Sequence, residues 1–206
     1  MTTERRNLIA AISLTLAGFV LMFVLTAVVA NLWYRLALFY VAMIPAAHLA
    51  VQLDWKSIFK VKLKHLELGL LAGVLLYVIG WVGVRLIQTL LPEVAADIDV
   101  TYGLLDSAPG WQVWPLLFWV ITGEEIVFRL AVTLGFTDKL KLWGVALGAG
   151  SFALVHIPWG PPLLLVAALV FGGCWSLIAY KTRSFWAAFV AHVSWDLLVM
   201  FALPYA

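Results

Sequence analysis

The chain has 206 residues, 65% of them hydrophobic and only 12% charged, with a mean hydropathy of +1.03 and a formal net charge of +2. Water-soluble domains run near 45–50% apolar and about 25% charged, so no soluble fold of this size hides so much apolar surface, and lipid must be the solvent for most of the chain. The small net charge says little by itself, since its distribution matters more; no nucleic-acid partner is expected, and the single cysteine, Cys174, excludes an internal disulfide.

A membrane-spanning helix needs roughly 20 apolar residues, so this length predicts an all-α polytopic bundle of about seven spans, with short loops and no soluble domain. The first span is expected over Leu8 to Asn31. Its start, MTTERRN, imitates a signal peptide, but the run exceeds the about 7–15 residues of a signal core, so it is read as retained. The second span is expected from Tyr34 to Val51, interrupted by Pro45, and the third from Leu66 to Leu91. The fourth runs from Gln112 to Leu134, the fifth from Leu142 to Ile157, the sixth from Pro162 to Tyr180 and the seventh from Ser184 to Leu203. All should be helical, because a segment in lipid must satisfy its own backbone groups. Residues 1–206 thus read as one transmembrane domain, with generic spans over 1–110 and a polar, motif-bearing catalytic core over 111–206.

Lysine and arginine in short loops mark the cytoplasmic side. Arg5 and Arg6 precede the first span, Lys56, Lys60, Lys62 and Lys64 follow the second, Lys139 and Lys141 follow the fourth, and Lys181 and Arg183 follow the sixth. The alternate loops hold Arg35 and the acids Glu93, Asp97, Asp99 and Asp106. This alternation predicts a cytoplasmic amino terminus and a carboxyl terminus outside. The segment Asp54 to Glu67 is basic with interleaved apolar residues, as a stretch lying on anionic lipid would be, or simply a solvated loop. Gly69 and Gly73, and Gly144 and Gly148, sit four apart, the spacing of close helix packing.

Charge in the bilayer interior costs at least about 2.5–3.5 kcal/mol, so the few polar residues within spans need a reason. Arg85 lies near the outer end of the third span, where it can snorkel. The fourth span reads ITGEEIVFRL. Glu125 and Arg129 are four apart and can pair on one face, whereas Glu124 is turned about 100° away. Glu124 has no partner in its own helix, and an unpaired buried carboxylate suits a general base. In the fifth span Phe152 and His156 are four apart, just before Pro158 and a Gly-Pro-Pro turn. In the seventh, His192 and Asp196 are four apart, so Asp196 can orient the imidazole. Singly, a buried histidine is a packing residue and a Glu–Arg pair a helix lock. Three spans with such pairs, in a chain otherwise cleared of polar groups, favour one shared catalytic site around a water. Glu124 takes its proton, His156 helps hold it, and His192 with Asp196 stabilises a tetrahedral oxyanion. Ser151 and Ser194 lie in no nucleophile signature.

Glu124-Glu125-x-x-x-Arg129, Phe152-x-x-x-His156 and His192-x-x-x-Asp196, in that order, resemble the three motifs of the CPBP family of CAAX proteases and bacteriocin-processing enzymes. The resemblance covers about Trp111 to Leu203. It implies an intramembrane polar cavity and proteolysis needing no metal or other cofactor, with Glu124, His156, His192 and Asp196 catalytic and Glu125, Arg129 and Phe152 supporting. The eukaryotic CAAX endopeptidase has Asn at the position of Asp196. An ionised Asp only accepts hydrogen bonds, so Asp196 donates to an oxyanion only when protonated and otherwise orients His192. The compact chain suggests a bacterial inner-membrane enzyme acting on a membrane-associated protein or peptide. Substrates of such relatives carry a leader or, in those resembling myxosortases, a terminal sorting tag. His156 toward the outer face predicts a cavity reached from outside. Two other functions fit the same residues. One is a zinc protease using Glu124, His156 and His192 as ligands with Glu125 as base. The other is a non-catalytic scaffold or a proton-coupled transporter.

Overall fold

The computed structural model describes residues 1–105 and 110–205, so Asp106 of the expected acidic loop lies outside the described residues. The chain is a bundle of helices, and among the described residues there is no strand. Helix α1 spans Thr3–Val28 and is capped by Thr2, whose hydroxyl accepts from the Arg5 amide. Asn31 caps α2, Leu32–Ala50, in the same way through the Tyr34 amide. Pro45 was expected to interrupt this span, yet α2 runs through it unbroken. Proline is tolerated in membrane helices where neighbours satisfy the freed backbone. A single turn, α3, Trp55–Ile58, follows, and then the long α4, Leu63–Leu90.

The expected acidic outer loop is largely helical. Helix α5, Pro92–Leu105, opens with Pro92 and Glu93, residues suited to a helix start. It buries Ile98 while Asp99 and Val100 stay exposed. Next comes one continuous rod: α6, Val113–Glu124, a π-helical stretch over Glu125–Thr133, and α7, Leu134–Leu140. The chain reverses at Lys141 into α8, Leu142–Leu154. Helix α9, Pro162–Thr182, and α10, Phe185–Leu197, complete the bundle, and α10 ends in a π-helical turn over Leu198–Ala202.

Five helices are long and apolar enough to cross a membrane: α1, α2, α4, α9 and α10 with its π-helical end. The rod is long enough but carries Glu124, Glu125 and Arg129, and α8 has only 13 residues. At 1.5 Å per residue, α8 covers about 20 Å, short of a hydrocarbon core of about 30 Å. It therefore ends inside the bundle, and His156 lies in the turn beyond it rather than on the helix. Leu16, Val20 and Phe23 of α1 and Leu70, Leu71 and Leu75 of α4 are exposed on the outside of the bundle. Only lipid suits that surface, and the chain is an integral membrane protein.

Glycines set the closest approaches. A Cβ on Gly69 or Gly73 of α4 would sit 2.8 and 2.7 Å from the Ala187 and Ala191 carbonyl oxygens of α10. Gly144 gives α8 the same closeness to Phe136 and Thr137 of α7. One end of the bundle is tied by Asn7, whose amide donates to the Gln52 carbonyl at 3.1 Å and to Asp138 at 3.0 Å. Asp138 in turn pairs with Arg183 at 3.2 Å. All four basic segments therefore share this end. The basic stretch after α2 is partly built in: Ile58 is buried and Trp55 packs beside it, against Leu130, Leu134 and Phe185. Hydrogen bonds from Tyr34 to Gln112, from the Leu163 amide to Asp97 and from Tyr102 to the Val199 carbonyl close the opposite end.

Candidate active site

The polar residues of the rod sit where its hydrogen-bonding widens. A π-helix adds a residue per turn and recurs at functional sites. Here it begins at Glu125, directly after Glu124. The expected 100° separation would aim the two carboxylates apart, but both reach the same imidazole. Glu125 Oε1 lies 2.8 Å from His192 Nδ1, and Glu124 Oε2 lies 3.5 Å from His192 Nε2. Asp196 Oδ2 is 3.8 Å from the same Nε2. The partner that fixes the ring at Nδ1 is therefore Glu125. The orienting place that the four-residue spacing suggested for Asp196 is taken, because Nδ1 points at the rod and not along α10.

Glu125 also meets Arg129, with Oε1 3.5 Å from Nε and both side chains fully buried. The guanidinium stacks 4.0 Å from the Phe152 ring centroid and 5.4 Å from that of Trp175. Two aromatic faces and one carboxylate thus hold a charge that lipid would reject. Phe152 has this place because Gly172 of α9 leaves room for its ring, which a Cβ there would meet at 2.7 Å.

Two residues at the site carried no signal in the sequence. Trp175 of α9 stacks on His192 with centroids 3.6 Å apart, so the imidazole is held in plane by Glu125 and on its face by an indole. Tyr40 of α2 is fully buried over Gly123 and hydrogen-bonds Glu124. A tryptophan or tyrosine within an apolar run reads as packing, and neither has a polar neighbour four residues away to mark it.

His156 Nδ1 lies 2.8 Å from the Phe152 carbonyl oxygen. A carbonyl only accepts, so Nδ1 carries the hydrogen and Nε2 is left as an acceptor. Glu124, His156, His192 and Asp196 all line one cavity of about 380 Å³. Its walls come from α2, α4, α5, α6, α9 and α10, on the side of the bundle away from the basic end. Ser151 does not join it; its hydroxyl donates to the Leu147 carbonyl and accepts from Thr15. Cys174 packs, partly buried, against the core. Among the described residues, no three His, Cys, Asp or Glu side chains are grouped as a metal-ion ligand set.

Residues 106–198 match the model of a family described as Type II CAAX prenyl endopeptidase Rce1-like. No curated protein and no solved structure matches the chain. The matched segment holds Glu124, Glu125, Arg129, His156, Trp175, His192 and Asp196 but not Tyr40.

Proposed function

We propose that the chain, whose residues 106–198 resemble the CAAX-type endopeptidases, is a CPBP-family, glutamate-dependent intramembrane endopeptidase. The observation that carries this reading is the convergence of Glu124, His156, His192 and Asp196 on one buried cavity, with His192 fixed by Glu125 and Trp175.

In this mechanism a water sits between the Glu124 carboxylate and His156 Nε2. Glu124 takes one proton as general base, and His156 accepts a hydrogen bond from the other and aims the oxygen. The hydroxide adds to the scissile carbonyl, and the negative oxygen forms beside His192 Nε2. Nδ1 already donates to Glu125, so a donor at Nε2 requires the doubly protonated ring. Donors preorganised around a developing charge often contribute more to acyl transfer than any other effect. Collapse of the intermediate breaks the C–N bond, and Glu124 returns its proton to the leaving nitrogen. Asp196 sits close enough to Nε2 to steady the charged ring, and donates to the oxyanion only in its protonated form.

The basic end of the bundle lies on the cytoplasmic side by the positive-inside rule, so the cavity opens in the outer half. The substrate is then a membrane-associated protein processed after export, such as one carrying a leader or sorting tag.

The test is cleavage of a peptide or co-expressed substrate by the purified chain. Glu124→Gln and His156→Ala should each lower turnover by about 10²–10⁴, the usual worth of a positioned acid–base group, with melting temperature retained. Chelators should leave cleavage unchanged. Wild-type turnover by Glu124→Gln ends the proposal, and chelator-sensitive cleavage restored by zinc would favour the metalloprotease instead.

A further inference from the structure

We propose that the start of α4, at the basic end of the bundle, holds the phosphate of an anionic phospholipid. Lys62 caps this helix without a side-chain hydrogen bond, and among the described residues the Leu63 and Lys64 amides have no acceptor. The first amides of a helix point out along its axis, where its dipole favours an anion. A bare helix end is common, and the observation that makes this one a site is His65 in the same turn. His65 is only 8% exposed, yet its Nδ1 has no hydrogen-bond partner. Helical side chains lean toward the amino end, so the ring is directed back over the free amides. A phosphate oxygen there selects the tautomer with the hydrogen on Nδ1 and accepts from it.

The charges around this turn agree. Lys60, Lys62 and Lys64 are exposed, and Lys62 and Lys64 lie close enough for their charges to act on the His65 ring. Glu67, the acid nearest in sequence, is turned about 200° round the helix from His65. Helix α10 starts beside α4 and runs parallel to it, with Gly69 against Ala187 and Gly73 against Ala191. Two positive helix ends therefore adjoin. The stretch leading into α4 is held in place: Trp186 Nε1 donates to the Phe59 carbonyl at 2.8 Å, and the Phe59 ring packs on Phe185.

Depth and shape make the ligand a lipid and not a soluble phosphate. Helix α4 has 28 residues, about 42 Å at 1.5 Å each. That exceeds a hydrocarbon core of about 30 Å and matches the bilayer with its headgroups. Its first turn therefore lies among the lipid phosphates. Below Lys64, exposed Leu68, Leu71 and Leu75 recur at i+4, i+7 and i+11, one apolar stripe on which an acyl chain can run. The site lies far from the catalytic cavity, so it and the protease reading stand or fall separately.

The test titrates the full chain in detergent with phosphatidylglycerol or with phosphatidylcholine of the same acyl chains. Native mass spectrometry counts the bound lipid. Phosphatidylglycerol should bind at least about tenfold tighter, since each nearby lysine contributes about fivefold. Lys62→Gln with Lys64→Gln should lose most of that preference. Lys139→Gln with Lys181→Gln, exposed at the same end of the bundle, should keep it. His65→Leu retains the lysines and should weaken phosphatidylglycerol binding about tenfold, the value of a hydrogen bond to a charged group. Glycerol phosphate, the headgroup without acyl chains, should not displace the lipid at equal concentration. Equal binding of the two lipids, equal losses from the two lysine pairs, wild-type affinity in a folded His65→Leu protein, or displacement by glycerol phosphate each overturns the proposal. Should His65→Leu fail to fold, the two exposed lysine pairs decide it.

Discussion

At the residue scale the site turns on one imidazole. His192 meets Glu125 at 2.8 Å through Nδ1, Glu124 and Asp196 near Nε2, and Trp175 on its face. Glu125 therefore does two things at once, balancing Arg129 and fixing His192. Arg129→Ala strands a buried carboxylate and should cost on the order of 3–5 kcal/mol, read as a lower melting temperature in detergent. The paired change Glu125→Gln with Arg129→Met removes both charges and should recover most of that stability. It should not recover cleavage, because His192 loses its carboxylate partner; recovered cleavage would reduce the pair to a helix lock. Tyr40 makes a separate prediction. Its hydroxyl bonds Glu124, and a hydrogen bond to a charged group contributes about 1.5–3 kcal/mol. Tyr40→Phe should lower kcat about tenfold or more with KM nearly unchanged, whereas a purely structural role would lower the melting temperature and spare kcat. The motif residues were legible because ionisable side chains in lipid demand a reason. Tyr40 and Trp175 were not, because their chemistry exists only once α2 and α9 pack against the rod and α10.

At the element scale, hydropathy located the long helices within a few residues of where they fold, since a run in lipid has no alternative to the helix. It missed α5, where acids such as Asp97 and Asp99 alternate with buried Ile98 and lower the average of an amphipathic segment. It also missed the widening over Glu125–Thr133, because a π-helical register depends on what the rod packs against and not on its own periodicity. The glycine spacing on α4 was visible as a packing motif but not its purpose. Gly73 brings α4 against the α10 backbone beside Ala191 and Ser194, which flank His192 in sequence. Gly73→Leu forces these helices apart, and overpacking of this kind costs typically 1–3 kcal/mol. The expected outcome is a lower melting temperature with a larger proportional loss of cleavage, as His192 shifts from Glu124. A stable Gly73→Leu protein with wild-type turnover would show that the α4–α10 seam does not position the site.

At the scale of the whole molecule, charge and cavity lie at opposite ends. The start of α1 and the stretches that lead from α2 through α3 to α4, from the end of α7 to α8 and from the end of α9 to α10 carry ten of the thirteen lysines and arginines, and Asn7, Asp138 and Arg183 bind three of these segments together. The cavity is walled from the other direction, by the first turns of α2 and α9, the later turns of α4 and α10, and α5. Lysine and arginine stay where translation leaves them, so the same asymmetry that orients the chain should set the side on which peptide bonds are cut. Cysteine labelling decides this. In a Cys174→Ser background, Ile157→Cys lies exposed beside the His156 turn at the cavity end, and Lys139→Cys lies exposed at the basic end. A membrane-impermeant maleimide applied to intact cells should label the first and reach the second only after the membrane is opened. The reverse pattern would put the cavity on the cytoplasmic side, and the substrate would then have to be a protein that reaches the enzyme before export.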